Sequence, residues 1–250
     1  MAIYAVDESQ RKAAKVAGIL YLFTILTANF VEFYVRRKLL VPVDALRTAS
    51  NIAQHEQLFR LGITTDLIML AASVMLVAAL YVVFKPVSRS LALLAVFWWL
   101  VECAIAATTA GIDFAAVLSL TGSNSLPALN TDQLQSMARL LIGLDAGGNR
   151  AAALFFGLGS TLFCYLWFKS GYIPRPLAAF GILASLVPTF IPLSTIVFAS
   201  LADLPLRRAR TGIPIVIFEA ILGFWLLVKG INAPASSRSG SSIEPSPSAT

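Results

Sequence analysis

Asp66, Glu102 and Glu219 each fall inside a long apolar run. An ionisable group in such a run is costly to bury and usually has a partner or a task. A carboxylic acid that keeps its proton among apolar groups can deliver it as a general acid. These three are therefore the candidate catalytic residues of the chain. Around Glu102 the spacing adds detail. Glu102, Ala106, Thr109 and Asp113 follow i, i+4, i+7 and i+11, which is one face of a helix. Trp98 stands one turn before Glu102, with Trp99 beside it. That face can line a cavity with a carboxyl deep down, a hydroxyl above and an aromatic wall below. Arg150 heads a second face with Ala153, Gly157 and Thr161. Its small residues suit close helix packing, and Arg150 is a candidate counter-charge for one of the acids. The candidate ligand-binding set is thus Asp66, Trp98, Trp99, Glu102, Thr109, Asp113, Arg150 and Glu219. A plainer reading stands beside it. Glu32, Asp113 and Arg150 lie near span ends, where water reaches them. The tryptophans can be packing or interface residues, and the buried acids can serve helix contact alone.

Several chemistries are set aside. The single histidine, His55, lies in a polar stretch, so a three-histidine zinc site cannot be built, and no metal or cofactor is expected. Ser160 has no intramembrane histidine to activate it. No glycine-rich nucleotide loop is present. Cys103 and Cys164 both sit inside apolar runs and do not form a disulfide framework. No nucleic-acid module is visible, and the net charge of +6 comes from basic residues flanking apolar blocks, as in Arg36-Arg37-Lys38 and Arg207-Arg208-Ala209-Arg210. That placement suits anionic lipid headgroups.

The elements that carry these residues are membrane spans. The 250 residues are 58% hydrophobic and 13% charged, against roughly 45–50% and 25% in soluble domains. The excess is gathered in blocks at 13–35, 60–84, 88–117, 149–169, 174–200 and 212–231. Each is long enough for the ~20 helical residues that cross a bilayer, and helices satisfy their own backbone there. The fold class is therefore all-α, an integral membrane bundle of six transmembrane helices. Short hairpins at Lys85–Arg89 and Ser170–Arg175 carry the Pro and Gly that stop helices. The link 36–59 reads as a polar loop. The link 118–148 contains a predicted short helix, with Asn130 as N-cap and Gln133 three residues on. Its Leu134, Met137 and Leu141 share a face, so it either lies in the interface or forms a lid on the bundle. The domain reading is a six-helix transmembrane domain over 1–232 and a disordered Ser/Pro-rich tail over 233–250.

Threading the chain back and forth places Asp66, Glu102 and Glu219 in the half of the bilayer where the first helix exits. Arg11, Lys12 and Lys15 precede the first run as in a signal peptide, but no small-x-small site follows, so an uncleaved first helix is expected. Orientation stays open. Of the 19 Lys and Arg residues, nine fall on one side and ten on the other, and the positive-inside rule does not separate these.

Longer segments carry a resemblance. Ala13-Ala14-Lys15-Val16-Ala17-Gly18-Ile19-Leu20-Tyr21-Leu22 opens the first helix. Leu58-Phe59-Arg60-Leu61-Gly62-Ile63 leads into Asp66-Leu67, then Tyr81 and Lys85-Pro86-Val87. Phe155-Phe156-Gly157 precedes Phe168-Lys169-Ser170-Gly171-Tyr172-Ile173-Pro174-Arg175. Glu219 is followed by Trp225-Leu226-Leu227-Val228-Lys229-Gly230. From about residue 11 to 231 the chain resembles the bacterial multi-pass membrane family called domain of unknown function 4386. The resemblance implies a helical bundle in the bacterial inner membrane and no particular activity. It implies structural or cavity-lining roles for Asp66, Arg60, Glu219 and Arg175.

The leading expectation is a binding protein for an amphiphilic or lipid-like small molecule, held in an acid-lined cavity in one leaflet half. An enzyme performing acid-catalysed isomerisation, cyclisation or hydrolysis on a lipid or isoprenoid is the alternative, with tryptophan rings steadying a cation. A small proton-coupled transporter is the third reading, with Pro188 and Pro192 as kink signals. Membrane lipids and a hydrophobic small molecule are the expected partners, and a homo-oligomer is compatible with the sequence.

Overall fold

A computed structural model describes residues 6–41, 44–121, 131–198 and 212–231. The described residues are helical, with short turns between helices. The first helix, α1, is α-helical over Glu8–Phe30, π-helical over Val31–Arg36, and closes with an α turn over Arg37–Leu39. The others are α2 (Ala45–Gln54), α3 (Glu56–Phe84), α4 (Arg89–Thr121), α5 (Thr131–Ser170), α6 (Arg175–Val197) and α7 (Ile213–Val228).

Five helices are long and apolar enough to cross a membrane: Glu8–Leu39, Glu56–Phe84, Arg89–Leu118, Gly143–Ser170 and Arg175–Ser194. The sixth, α7, is apolar but has 16 residues. At 1.5 Å per residue it covers about 24 Å, short of a ~30 Å hydrocarbon core. The expectation of six full spans therefore holds for five, with α7 a shorter member. Large apolar side chains point outward on these helices. Leu26, Leu183 and Phe224 are each more than 60% exposed, as lipid-facing residues are.

Each helix of the ring packs on its neighbour in chain order, α3 on α1, α4 on α3, α5 on α4, α6 on α5 and α7 on α6, and α7 returns to pack on α1. The contacts fix an antiparallel register throughout. Gln10 at the start of α1 donates to the Val83 carbonyl at the end of α3 (2.8 Å), and Arg36 at the other end reaches Asp66 (3.3 Å). Gly18 of α1 meets Gly223 of α7. On the α5–α6 seam Gly157 lies against Thr189, where an added Cβ would stand 2.7 Å from the Thr189 backbone nitrogen. Of the small face read from Ala153, Gly157 and Thr161, Gly157 thus brings α5 close to α6. One end of the ring, the near end, holds Gln10, the α3–α4 turn and the α5–α6 turn. The far end holds Arg36, α2 and the start of α5.

The near-end turns form where Pro and Gly predict them. At the second, Gly171 has φ +67°, a left-handed conformation that glycine adopts without a steric penalty. Tyr172 is then buried beside Gln10 (3.3 Å). Gln10 also closes the capping box of α1, since its backbone N–H donates to Asp7 (2.6 Å) and its side chain accepts from the Asp7 N–H (3.0 Å). The near-end core is dense and aromatic. Phe84 makes an edge contact with Trp167 (4.5 Å between centroids) and lies 5.9 Å from Phe163. A second, smaller core at the far end gathers Val31, Val35, Leu39, Ile52, Phe59, Ile63, Ala110 and Val117.

Two expectations about the links are corrected. Residues 36–59 are largely helical: α1 extends to Leu39, and α2 follows, with the Asp44 carboxyl accepting from Arg47 N–H (2.9 Å). Asn51 ties α2 back to the Leu39 carbonyl (3.1 Å), and Ile52 joins the far core, so α2 packs across α3, α4 and α5. The separate short helix expected between the third and fourth spans is instead continuous with α5, which runs for 40 residues. The helix runs on through Gly143, Gly147 and Gly148 despite their low propensity, with no proline to interrupt it. Asn130, the Arg207–Arg210 cluster and the 233–250 tail lie outside the described residues. Pro188 and Pro192 lie within α6, which continues to Val197.

Candidate functional site

The site begins with a change of helical register. A π turn carries one residue more than an α turn, and one residue is ~100° of rotation. Beyond Val31–Arg36, α1 therefore points different side chains inward than a continuous α-helix would. Val35 and Leu39 enter the far core, and Arg36 reaches the Asp66 carboxylate at 3.3 Å. Among the described residues the ion pairs reach one of the three intramembrane acids, Asp66, and Arg36 is the partner.

A cavity of about 200 Å³ opens beside this pair. Arg36 comes from α1, Asp66 and Met69 from α3, Glu102, Ala106, Thr109 and Asp113 from α4, and Asn149, Ala153 and Phe156 from α5. The i, i+4, i+7, i+11 face of α4 thus lines one space. The Thr109 hydroxyl donates to the Ile105 carbonyl (3.0 Å). Gly148 sits against Thr109, so a side chain there would collide with the hydroxyl.

A second cavity of about 180 Å³ lies between α1, α3, α4, α5 and α7. Glu219 of α7 and Trp99 of α4 line it, with Asn29 of α1 and Ser73 of α3. Met69, Glu102 and Phe156 line both cavities. Glu102 is therefore a shared wall, with Asp66 on one side and Glu219 on the other. Glu219 is only 9% exposed, and among the described residues no hydrogen bond or ion pair reaches its carboxyl. Glu102 accepts one contact, from the Cys103 thiol (3.3 Å).

The structure sorts the sequence candidates. Asp66, Glu102, Thr109 and Asp113 line the first cavity, and Trp99, Glu102 and Glu219 the second. Trp98 and Arg150 line neither. Trp98 turns away and stacks on Phe155 (5.6 Å), and Arg150 is exposed. The counter-charge expected of Arg150 is supplied by Arg36. Arg60 and Arg175 also stay outside the cavities; Arg60 pairs with Glu56 (2.7 Å) and lies over Phe114 (5.5 Å). Glu32 is an exposed partner of Arg37 (3.5 Å). Sequence reasoning missed Arg36, Asn29, Ser73 and Asn149. Asn29 and Ser73 carried a usable signal, a polar side chain inside an apolar span. Cys103 and Cys164 are both buried and free. Among the described residues no group of three His, Cys, Asp or Glu side chains gathers to hold a metal ion.

The cavities together present four carboxyls and one guanidinium to largely apolar walls. Such a site can hold a polar head beside an apolar body, or present an acid to a buried substrate. A closed ring of apolar helices around an ionisable interior defines the class, a multi-pass helical membrane protein. Its family follows from its sequence: the chain belongs to the family described as Domain of unknown function (DUF4386), whose model matches residues 16–230. No curated protein and no solved structure matches the chain.

Proposed function

We propose that the protein is a membrane-embedded binding protein of the bacterial inner membrane, which holds an amphiphilic or lipid-like small molecule in the two adjoining cavities. The observation that carries this reading is the sharing of Met69, Glu102 and Phe156 by both cavities. It makes Asp66, Glu102 and Glu219 lining residues of adjoining spaces and sets each beside apolar walls. Ligand sites combine apolar walls with a few placed polar groups in this way. The test is extraction into polymer-bounded native discs, followed by mass spectrometry of the small molecules carried along. The expected result is one species enriched over the surrounding membrane and lost from Ala106→Phe, which fills the first cavity. Contents identical to those of the bulk membrane would overturn the reading.

A second reading rests on Trp99, which lines the second cavity beside Glu102 and makes an edge contact with Phe156 (5.1 Å). An acid beside aromatic faces suits acid-catalysed isomerisation, cyclisation or hydrolysis of a lipid or isoprenoid, with Glu102 or Glu219 giving the proton and the rings steadying the cation that follows. Asn or Gln at Asp66, Glu102 and Glu219, one at a time, abolishes turnover at one position at least if this holds. Full turnover in all three excludes it.

A further inference from the structure

We infer that the ligand is a cationic amphiphile, its ammonium head seated between Glu102 and Glu219 against Trp99 and Phe156 and its chain leaving between α1 and α7. This rests on the binding-protein reading and adds the charge and the exit route.

Charge comes first. Asp66, Glu102, Asp113 and Glu219 line the two cavities, and the cation among the lining residues, Arg36, stands 3.3 Å from Asp66. A buried carboxylate is costly unless paired. Glu219 lines the second cavity at 9% exposure with no hydrogen bond or ion pair among the described residues. An ammonium ion supplies the missing charge. A sulfate or phosphate head would meet repulsion from the same groups.

The aromatics point the same way. Trp99 is 3% exposed and lines the second cavity with Phe156. Ammonium ions, quaternary ones above all, are attracted to aromatic faces, and the attraction grows when water is excluded. Carboxylates and aromatic rings on one small cavity are a donor set for such a head.

The third observation concerns the way out. α1 and α7 touch where Gly18 meets the Gly223 carbonyl, at 2.9 Å from an added Cβ. Toward the far end, Thr24, Ile25, Ala28 and Asn29 of α1 and Val216 of α7 line the second cavity. Ala28 of α1 and Val216 of α7 line this cavity and are themselves exposed. The slot between these two residues is the route we assign to the chain, from the cavity into hydrocarbon. The cavity's volume of about 180 Å³ is below the ~300 Å³ at which ligand pockets usually begin. It fits a head and the first methylenes, and a longer chain continues through the slot into lipid.

The test is binding to the full chain in dodecyl maltoside micelles, with empty micelles subtracted. The probes are octyltrimethylammonium, octyl sulfate and octanol, which share a chain and differ in charge. The expected result is saturable binding of the ammonium probe alone. Glu219→Gln and Glu102→Gln, nearly isosteric changes, should each weaken it by at least about tenfold, the loss expected of one charge-assisted contact. Should Glu219→Gln fail to fold, Glu102→Gln alone decides. Equal binding of octanol or octyl sulfate, or unchanged binding in folded Gln variants, overturns the cationic head and leaves the amphiphile reading standing. Binding of none of the probes overturns the inference, while the amphiphile reading is then judged by the native-disc contents.

Discussion

Replacing Arg36 by methionine removes the counter-charge of Asp66 and keeps most of the volume. At 3.3 Å and an effective dielectric of ~20, the pair attracts by about 5 kcal/mol. Its side chains are 30% and 19% exposed, so water screens part of that, and a net coupling of about 2–3 kcal/mol is expected. This lies between a surface pair, at ~0–1 kcal/mol, and the ~3–5 kcal/mol of breaking a fully buried one. The two single changes should differ. Arg36→Met strands a carboxylate beside the cavity, whereas Asp66→Asn leaves an arginine whose long stem can carry its head toward the far end. Arg36→Met is therefore the more destabilising. The double variant should lose less than the sum of the singles, the difference being the coupling. The assay is a double-mutant cycle on unfolding of the protein in lipid discs. Strict additivity, with a coupling below about 0.5 kcal/mol, would show that the pair is merely solvated. The same result would refute the argument that the π segment of α1 delivers Arg36 to the site.

Two other predictions use the same unfolding measurement. Gln10→Leu keeps the volume but leaves the Val83 carbonyl without its donor, and should cost about 1–3 kcal/mol; a neutral effect would mean that the α1–α3 clasp contributes nothing. Gly157→Ala drives a Cβ into the Thr189 backbone, which cannot swing aside, and should cost about 1–3 kcal/mol. Gly111→Ala, where an added Cβ meets nothing within 4 Å, should be neutral or gain up to about 1 kcal/mol. Similar effects at both glycines would count against the close α5–α6 seam.

Much of this architecture is legible in the sequence because its signals are local. Apolar blocks mark the long helices, and Pro86 and the Gly171–Pro174 turn mark two hairpins. The 3.6-residue period puts Glu102, Ala106, Thr109 and Asp113 on one face, and that face lines one cavity. Other features depend on information that no local pattern holds. Trp98 and Trp99 differ by one residue, or ~100° of helix, and only the position of α5 decides which turns inward. Arg36 reads as a basic flank beside Arg37 and Lys38, because the period that predicts facing assumes α geometry and α1 is π-helical there. Arg150 had the right charge and an acceptable depth, but its helix turns it outward. The α2 helix was legible and overlooked. Asp44 caps it, and Ala49 and Ile52 keep an apolar spacing within a stretch that composition alone marks as a loop.

Every join in the helix ring but one links helices that follow each other in the chain. The exception is the seam where α1 meets α7, which no connecting segment crosses. Glu219 sits on that seam, so the second cavity lacks its α7 wall until α7 has entered the bilayer and docked. During synthesis Glu102 must therefore wait beside an open groove, and the site is completed by the final docking event. The same seam can part in the finished protein without stretching a loop, which makes the helix pair that completes the site also the pair that can most easily reopen it.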